Sequence, residues 1–176
     1  MSAVTVETSS SSKVRPGSAV LAAAIEQADD AENILERARL RAAEQNLPFS
    51  GGLTPVEAWT LFSQGVGVLV DVRSAEERKF VGQVPGSLHV AWATGTALTR
   101  NPRFVRELEA KVGKDQVVLL LCRSGKRSAL AGELAAKAGF KNVFNILEGF
   151  EGDLNDLQQR GEHNGWRYWN LPWVQD

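Results

Sequence analysis

The chain has 176 residues, a formal net charge of −1, one Cys and two His. That length holds one domain with a proper core, or one domain plus an appendage. A single Cys excludes an internal disulfide, a Cys-x-x-Cys redox pair and multi-cysteine zinc or iron–sulfur sites, and the near-zero charge speaks against a broad nucleic-acid footprint. His89 and His163 stand far apart in the chain, so no His-rich metal motif forms. No stretch reaches the ~20 apolar residues of a membrane span. Ala19–Ile25, behind Lys13 and Arg15, comes nearest to a signal-peptide core. It leads into acidic, helix-periodic sequence and reads as the start of a soluble helix. An unpaired thiol fits a reducing, cytoplasmic home.

In chain order, residues 1–17 are Ser/Thr-rich and without periodicity, which predicts disorder. From Ser18 to residue 46, the spacing of Leu21, Ile25, Ala28, Leu35, Ala38 and Ala42 predicts a helical arm, packed on the domain or offered to a partner. Asn46-Leu47-Pro48 and Ser50-Gly51-Gly52 end it, and the compact domain is expected over 48–176. Thr54-Pro55-Val56-Glu57 is a capping box with Pro at the first helical position, opening a helix to about Ser63. Val66–Val72, Val117–Leu121 and Val143–Leu147 are apolar runs of strands covered on both faces; Ser87–Ala91 is a shorter strand. Helices are expected from Asn101-Pro102 to Gly113, over Ser128–Ala138, and briefly over Leu154–Gln159. This alternation indicates an α/β fold with a doubly wound parallel sheet. The tail, 162–176, carries Trp166, Trp169 and Trp173 and is expected to wrap back as an aromatic clasp, with a partner-binding patch as the alternative.

The chemistry points to the strand VVLLL. Cys122 ends it and is followed by Arg123, Ser124, Gly125, Lys126, Arg127 and Ser128, then a helix. Ligands of parallel α/β sheets bind at the carboxyl ends of strands. A loop running from strand end into helix start turns its N–H groups inward as an anion nest, and glycine lets it turn tightly. Three cations and no acid in this stretch favour a thiolate nucleophile and attract an anionic substrate. Taken separately, a strand-end Cys is most often a small hydrophobe and a Lys/Arg run a solvated face. Their coincidence at this junction is what carries the functional reading.

The segment Cys122–Ser128 resembles the active-site loop of the rhodanese, or thiosulfate sulfurtransferase, domain. Asp71-Val72-Arg73 with Glu76-Glu77, then Gly82-Gln83-Val84-Pro85-Gly86-Ser87, resembles that family's upstream signature, and Leu147-Glu148-Gly149-Phe150 the segment after its last strand. Gln83 stands where the family commonly has His, and Phe150 where a second Gly is common; both changes are expected to alter loop packing.

The resemblance implies a rhodanese-like single-domain fold and persulfide chemistry. Cys122 takes the sulfane sulfur of a small anionic donor such as thiosulfate. A thiol, cyanide or a protein sulfur acceptor then removes it. No metal or organic cofactor is implied, and neither nucleic acid nor membrane is a partner. Asp71 takes a structural hydrogen-bonding role, and Arg73 orders the neighbouring loop by ion pairing. Arg78 is a candidate contact to the donor anion, against the plainer reading of a solvated helix charge. His89 reads as a packed imidazole, His163 as exposed and Trp92 as core.

Two rivals remain. Cysteine phosphatases and arsenate reductases place Arg after Cys and five residues, where this chain has Ser128. A persulfide carrier or partner-binding module would use the same loop without free turnover.

Overall fold

The computed structural model describes residues 31–176. The disorder expected for 1–17 and the first part of the helical arm therefore lie outside the described residues. The described part of the arm is α1 (Ala31–Glu44). Ile34, Leu35, Ala38 and Ala42 form its buried stripe. Arg41 donates to both carboxylate oxygens of Glu57 at 2.8 and 2.9 Å, tying α1 to the next helix.

The strands and helices that follow are β1 (Gly51–Leu53), α2 (Pro55–Ser63), β2 (Gly67–Asp71), α3 (Ala75–Val81), β3 (Leu88–His89), β4 (Ala93–Thr94) and β5 (Thr99–Arg100). After them come α4 (Phe104–Lys111), β6 (Val117–Leu121), α5 (Lys126–Lys137) and β7 (Asn142–Ile146). Five strands make a fully parallel sheet in the order β1-β7-β6-β2-β3, while β4 and β5 form a separate antiparallel ribbon. The chain winds from β2 out to β3, then returns to the other side of β2 with β6. The switch point of the sheet thus falls between β2 and β6. Their register pairs Asp71 with Leu121, so the two strands end side by side.

Alternation along each strand feeds two cores. Leu69, Leu119, Leu121, Phe144 and Ile146 face α1, α2 and the buried Trp166 and Leu171 of the tail. Val70, Val118, Leu120, Cys122 and Val143 face α4 and α5, together with Trp92 and Phe104. This is the doubly wound arrangement expected from apolar strand runs. Among the described residues no helix is long and apolar enough to cross a membrane.

Several elements depart from the sequence reading. β1 is built from a segment read as a helix terminator. Its glycines have poor strand propensity, but a Cβ on Gly51 would fall on the Ala38 carbonyl, so only glycine lets α1 pack this closely. α3 is opened by a capping box between Ser74 and Glu77, a signal present in the sequence. The helix expected over Leu154–Gln159 is absent. The Asn155 side chain accepts the N–H groups of Leu157 and Gln159 at 2.9 and 2.8 Å, holding a turn, and Leu154 and Leu157 find no core to cover. Finally, α5 begins at Lys126 rather than Ser128, so Lys126, Arg127 and Ser128 form its first turn.

Candidate active site

Cys122 follows the last residue of β6 and is buried, 1% exposed. Its Sγ accepts a hydrogen bond from the Gly125 N–H at 3.1 Å and lies 3.1 Å from the Ser128 hydroxyl, whose one proton it shares with a second acceptor. Gly125 is the N-cap of α5 with φ +90°, a left-handed conformation that swings its N–H back to the sulfur. Cys122 therefore lies at the positive end of a twelve-residue helix. The geometry is a seat for a sulfur-centred negative charge.

The cations of the stretch are not equivalent. Arg127 is locked: its guanidinium donates to both oxygens of Glu77, at 2.8 and 2.6 Å. The Glu77 hydrogen bonds raise the Arg127 pKa against the effect of burial, helped by the charge of Glu77 and by electrostatic interaction with Cys122 and Asp71. Burial alone would push the Glu77 carboxyl up. The hydrogen bonds from Arg127 and the Ser74 backbone, with the charges of Arg127 and Arg73, outweigh it and hold the group at about 2. Arg127 thus fixes the first turn of α5 to α3. Its fork is filled, which alters its expected part as a substrate contact. Lys126 is exposed, and Arg123 keeps a buried Nε with no hydrogen-bond partner. Ser124 is half-buried on the turn between them.

Asp71, Arg73 and Arg78 form one cluster at the end of β2. Arg73 is buried and grips the Asp71 carboxylate, with its Nη2 2.7 Å from Oδ2 and 2.7 Å from the Gly82 carbonyl. It therefore spans the start and the end of α3. Its guanidinium lies 4.1 Å from the centre of the Phe150 ring. Arg78, the candidate contact to the donor anion, is held by its neighbours. It donates to Asp71 Oδ2 and to Ser87 Oγ, both at 3.1 Å. His89 donates from Nε2 to the Arg73 carbonyl at 2.8 Å, His163 is exposed, and Trp92 packs edge-on against Phe104. Among the described residues no group of three or more His, Cys, Asp and Glu is placed to hold a metal ion.

A second layer supports the loop. The Phe150 and Glu151 N–H groups donate to the carbonyls of Cys122 and Arg123 at 2.8 and 2.9 Å. Gly149, at φ +65°, lets this segment approach; a Cβ there would lie 2.5 Å from the Arg123 carbonyl carbon. The tail in turn holds the segment, since Trp166 N–H donates to Gly149 O and Trp169 Nε1 to the Glu148 carboxylate, each at 2.8 Å. Gln83 pairs with Val174 as an isolated antiparallel bridge. Sequence reasoning missed Asn145, a buried polar residue of β7. It accepts from Ser128 at 2.6 Å and donates to Gly125 O at 3.1 Å. Its one signal was polarity inside the otherwise apolar run Val143–Leu147.

A strand-end thiol, seated on a glycine N–H at the start of a helix at the sheet's switch point, defines an α/β anion-loop cysteine protein. The model of the rhodanese-like domain matches residues 54–156. The crystal structure of Rv0390 from M. tuberculosis aligns with a TM-score of 0.66 and 40% identity, covering 73% of this chain and 99% of that one. The uncharacterized protein RP600 of Rickettsia prowazekii is 37% identical over 107 residues, 60% of this chain and 80% of its own. Thiosulfate sulfurtransferase GlpE of Haemophilus influenzae is 29% identical over 107 residues, 60% of this chain and 89% of its own. The chain belongs to the rhodanese-like domain family, within the sulfurtransferase superfamily.

Proposed function

We propose that the protein is a sulfurtransferase that moves a sulfane sulfur from an anionic donor such as thiosulfate to a thiol or cyanide, through a persulfide on Cys122. The observation that carries this reading is the seat of Sγ at the α5 N-terminus, where the Gly125 N–H donates to it at 3.1 Å and the Ser128 hydroxyl lies within reach at 3.1 Å. The relative named as a thiosulfate sulfurtransferase supports the choice of donor. The Cys122 thiolate attacks the outer sulfur of thiosulfate. The new S–S bond forms as the donor's own S–S bond breaks, and sulfite leaves with the electron pair. Negative charge then rests on the outer sulfur of the persulfide, facing the first-turn N–H groups of α5, which have no intrahelical acceptor. Arg123 and Lys126 are the cations left to hold the donor's sulfonate end. Attack by cyanide or a thiolate on the outer sulfur returns the Cys122 thiolate and completes a ping-pong cycle. A reducing, cytoplasmic setting suits a lone thiol that must stay unpaired.

Thiosulfate added to intact protein should raise its mass by one sulfur atom, and Cys122→Ser should gain nothing. An unmodified wild type would refute thiosulfate as donor. Aryl phosphate hydrolysis faster than sulfur transfer would replace the reading with a phosphatase.

A further inference from the structure

Ser128 has one hydroxyl proton and two acceptors competing for it. Its Oγ lies 3.1 Å from Cys122 Sγ and 2.6 Å from Asn145 Oδ1. Asn145 cannot turn over to settle the contest. Its Nδ2 donates to the Gly125 carbonyl at 3.1 Å, and a carbonyl only accepts, so the amide oxygen must face Ser128. All three side chains are buried, which raises the penalty for any group left without a partner.

The two ionisation states of Cys122 use that proton differently. In the thiol state the S–H donates to Ser128 Oγ, and Ser128 donates on to Asn145, so the row is satisfied. In the thiolate state Ser128 turns its proton to sulfur, and Asn145 Oδ1 is left facing an oxygen 2.6 Å away with no hydrogen between them. We propose that Asn145 is a positioning residue that, acting through Ser128, withholds the second hydrogen bond from the Cys122 thiolate and so sets how readily Cys122 ionises and attacks. The proposal rests on Cys122 being the nucleophile. It also gives sulfur loading a direction. Once the charge has moved to the outer sulfur, Sγ is neutral, and the Ser128 proton returns to Asn145.

Other charges meet at this loop. They are Arg123, Lys126 and Arg127 from the loop and α5, Asp71 with Arg73 and Arg78 at the end of β2, Glu77 from α3, and Glu148 after β7. Asn145 is neutral, so replacing it leaves all of them in place. It also borders a cavity of about 220 Å³ shared with Arg41, whose guanidinium is held by Glu57, and with Leu47, Phe49 and Leu147, which gives altered side chains room.

Cys122 is the one cysteine, so alkylation by iodoacetamide, read by intact mass across a pH series, reports on it alone. Asn145→Ala should move the midpoint of that profile about one pH unit toward acid, a roughly tenfold gain in rate below the midpoint. Asn145→Asp should move it toward alkali. In a Ser128→Ala background the Asn145→Ala shift should vanish. No shift in Asn145→Ala, or the same shift without the Ser128 hydroxyl, overturns the proposal. If Asn145→Ala fails to fold, the alkaline shift of Asn145→Asp carries the test, and an acid shift or none refutes it. Alkylation needs no sulfur donor, so these outcomes stand apart from success or failure of thiosulfate loading.

Discussion

Replacing Glu77 by Gln removes one charge from the joint between α3 and the first turn of α5. Glu77 takes part in four hydrogen bonds there: its carboxylate accepts two from the Arg127 fork, at 2.8 and 2.6 Å, and one from the Ser74 N–H at 3.0 Å, and its own N–H donates to Ser74 Oγ at 3.2 Å. Gln keeps one acceptor but turns an N–H group toward a guanidinium that can only donate. The Glu77 carboxyl is held at about 2, down from 4.5. At 1.36 kcal/mol per unit the full shift corresponds to about 3 kcal/mol, and the part-exposed setting reduces this to roughly 1–3 kcal/mol. The folded-state pKa is depressed, so the stabilisation is fully present above the unfolded value of 4.5 and is lost as pH falls toward 2. Glu77→Gln should therefore lower urea-unfolding stability by that amount at neutral pH, and by about half as much near pH 3. A deficit that stays constant from neutral pH to pH 3 would refute the ion-pair argument and leave only lost packing. Sulfur loading should also slow, because Arg127 no longer fixes the turn that carries Ser128.

Three further outcomes follow from the supporting layers. Asp71→Asn leaves the buried Arg73 guanidinium without its counter-charge and should cost about 3–5 kcal/mol in chemical denaturation, with Arg78 released as well. Gly149→Ala forces a Cβ toward the Arg123 backbone at a left-handed position, and should abolish thiosulfate loading while destabilising the fold by at least about 1–3 kcal/mol. Trp166→Ala empties a fully buried site beside Trp59, leaves the Pro172 carbonyl without the indole N–H, and should cost about 3–5 kcal/mol by thermal or urea unfolding; the backbone bond from residue 166 to Gly149 is kept.

The parts of this protein that were legible in the sequence are those that local chemistry decides. β2, β6 and β7 are apolar runs, and the Thr54–Glu57 capping box opens α2 where expected. The Cys122 loop stood out as a candidate because a thiol, a glycine and cations fall together within one turn of chain. β1 was not, because Gly51 and Gly52 are strand residues only through the pairing of Gly51 with Phe144, far along the chain, and the closeness of α1. The helix expected over Leu154–Gln159 failed for the converse reason: local propensity pointed to it, and neither leucine has a surface to bury against.

The cation count of the active-site loop shows what composition leaves out. Arg123, Lys126 and Arg127 in a row read as three charges free to meet an anion. Folding brings Glu77 from 50 residues away onto Arg127, and Asp71 onto Arg73 and Arg78, so three of the arginines near the site are spent on acids. Under the proposed function, what remains to face a donor is Arg123, Lys126 and the start of α5. That is a modest charge, with the hydrogen-bonding groups supplied largely by backbone. A site of this kind holds a small, charge-dispersed anion through oriented N–H groups, whereas clamping a tetrahedral phosphoryl group calls for a free bidentate arginine. The filled fork of Arg127 therefore weighs against phosphatase chemistry on geometric grounds. The sequence pattern, with Ser128 at the position the phosphatases give to arginine, weighs the same way independently.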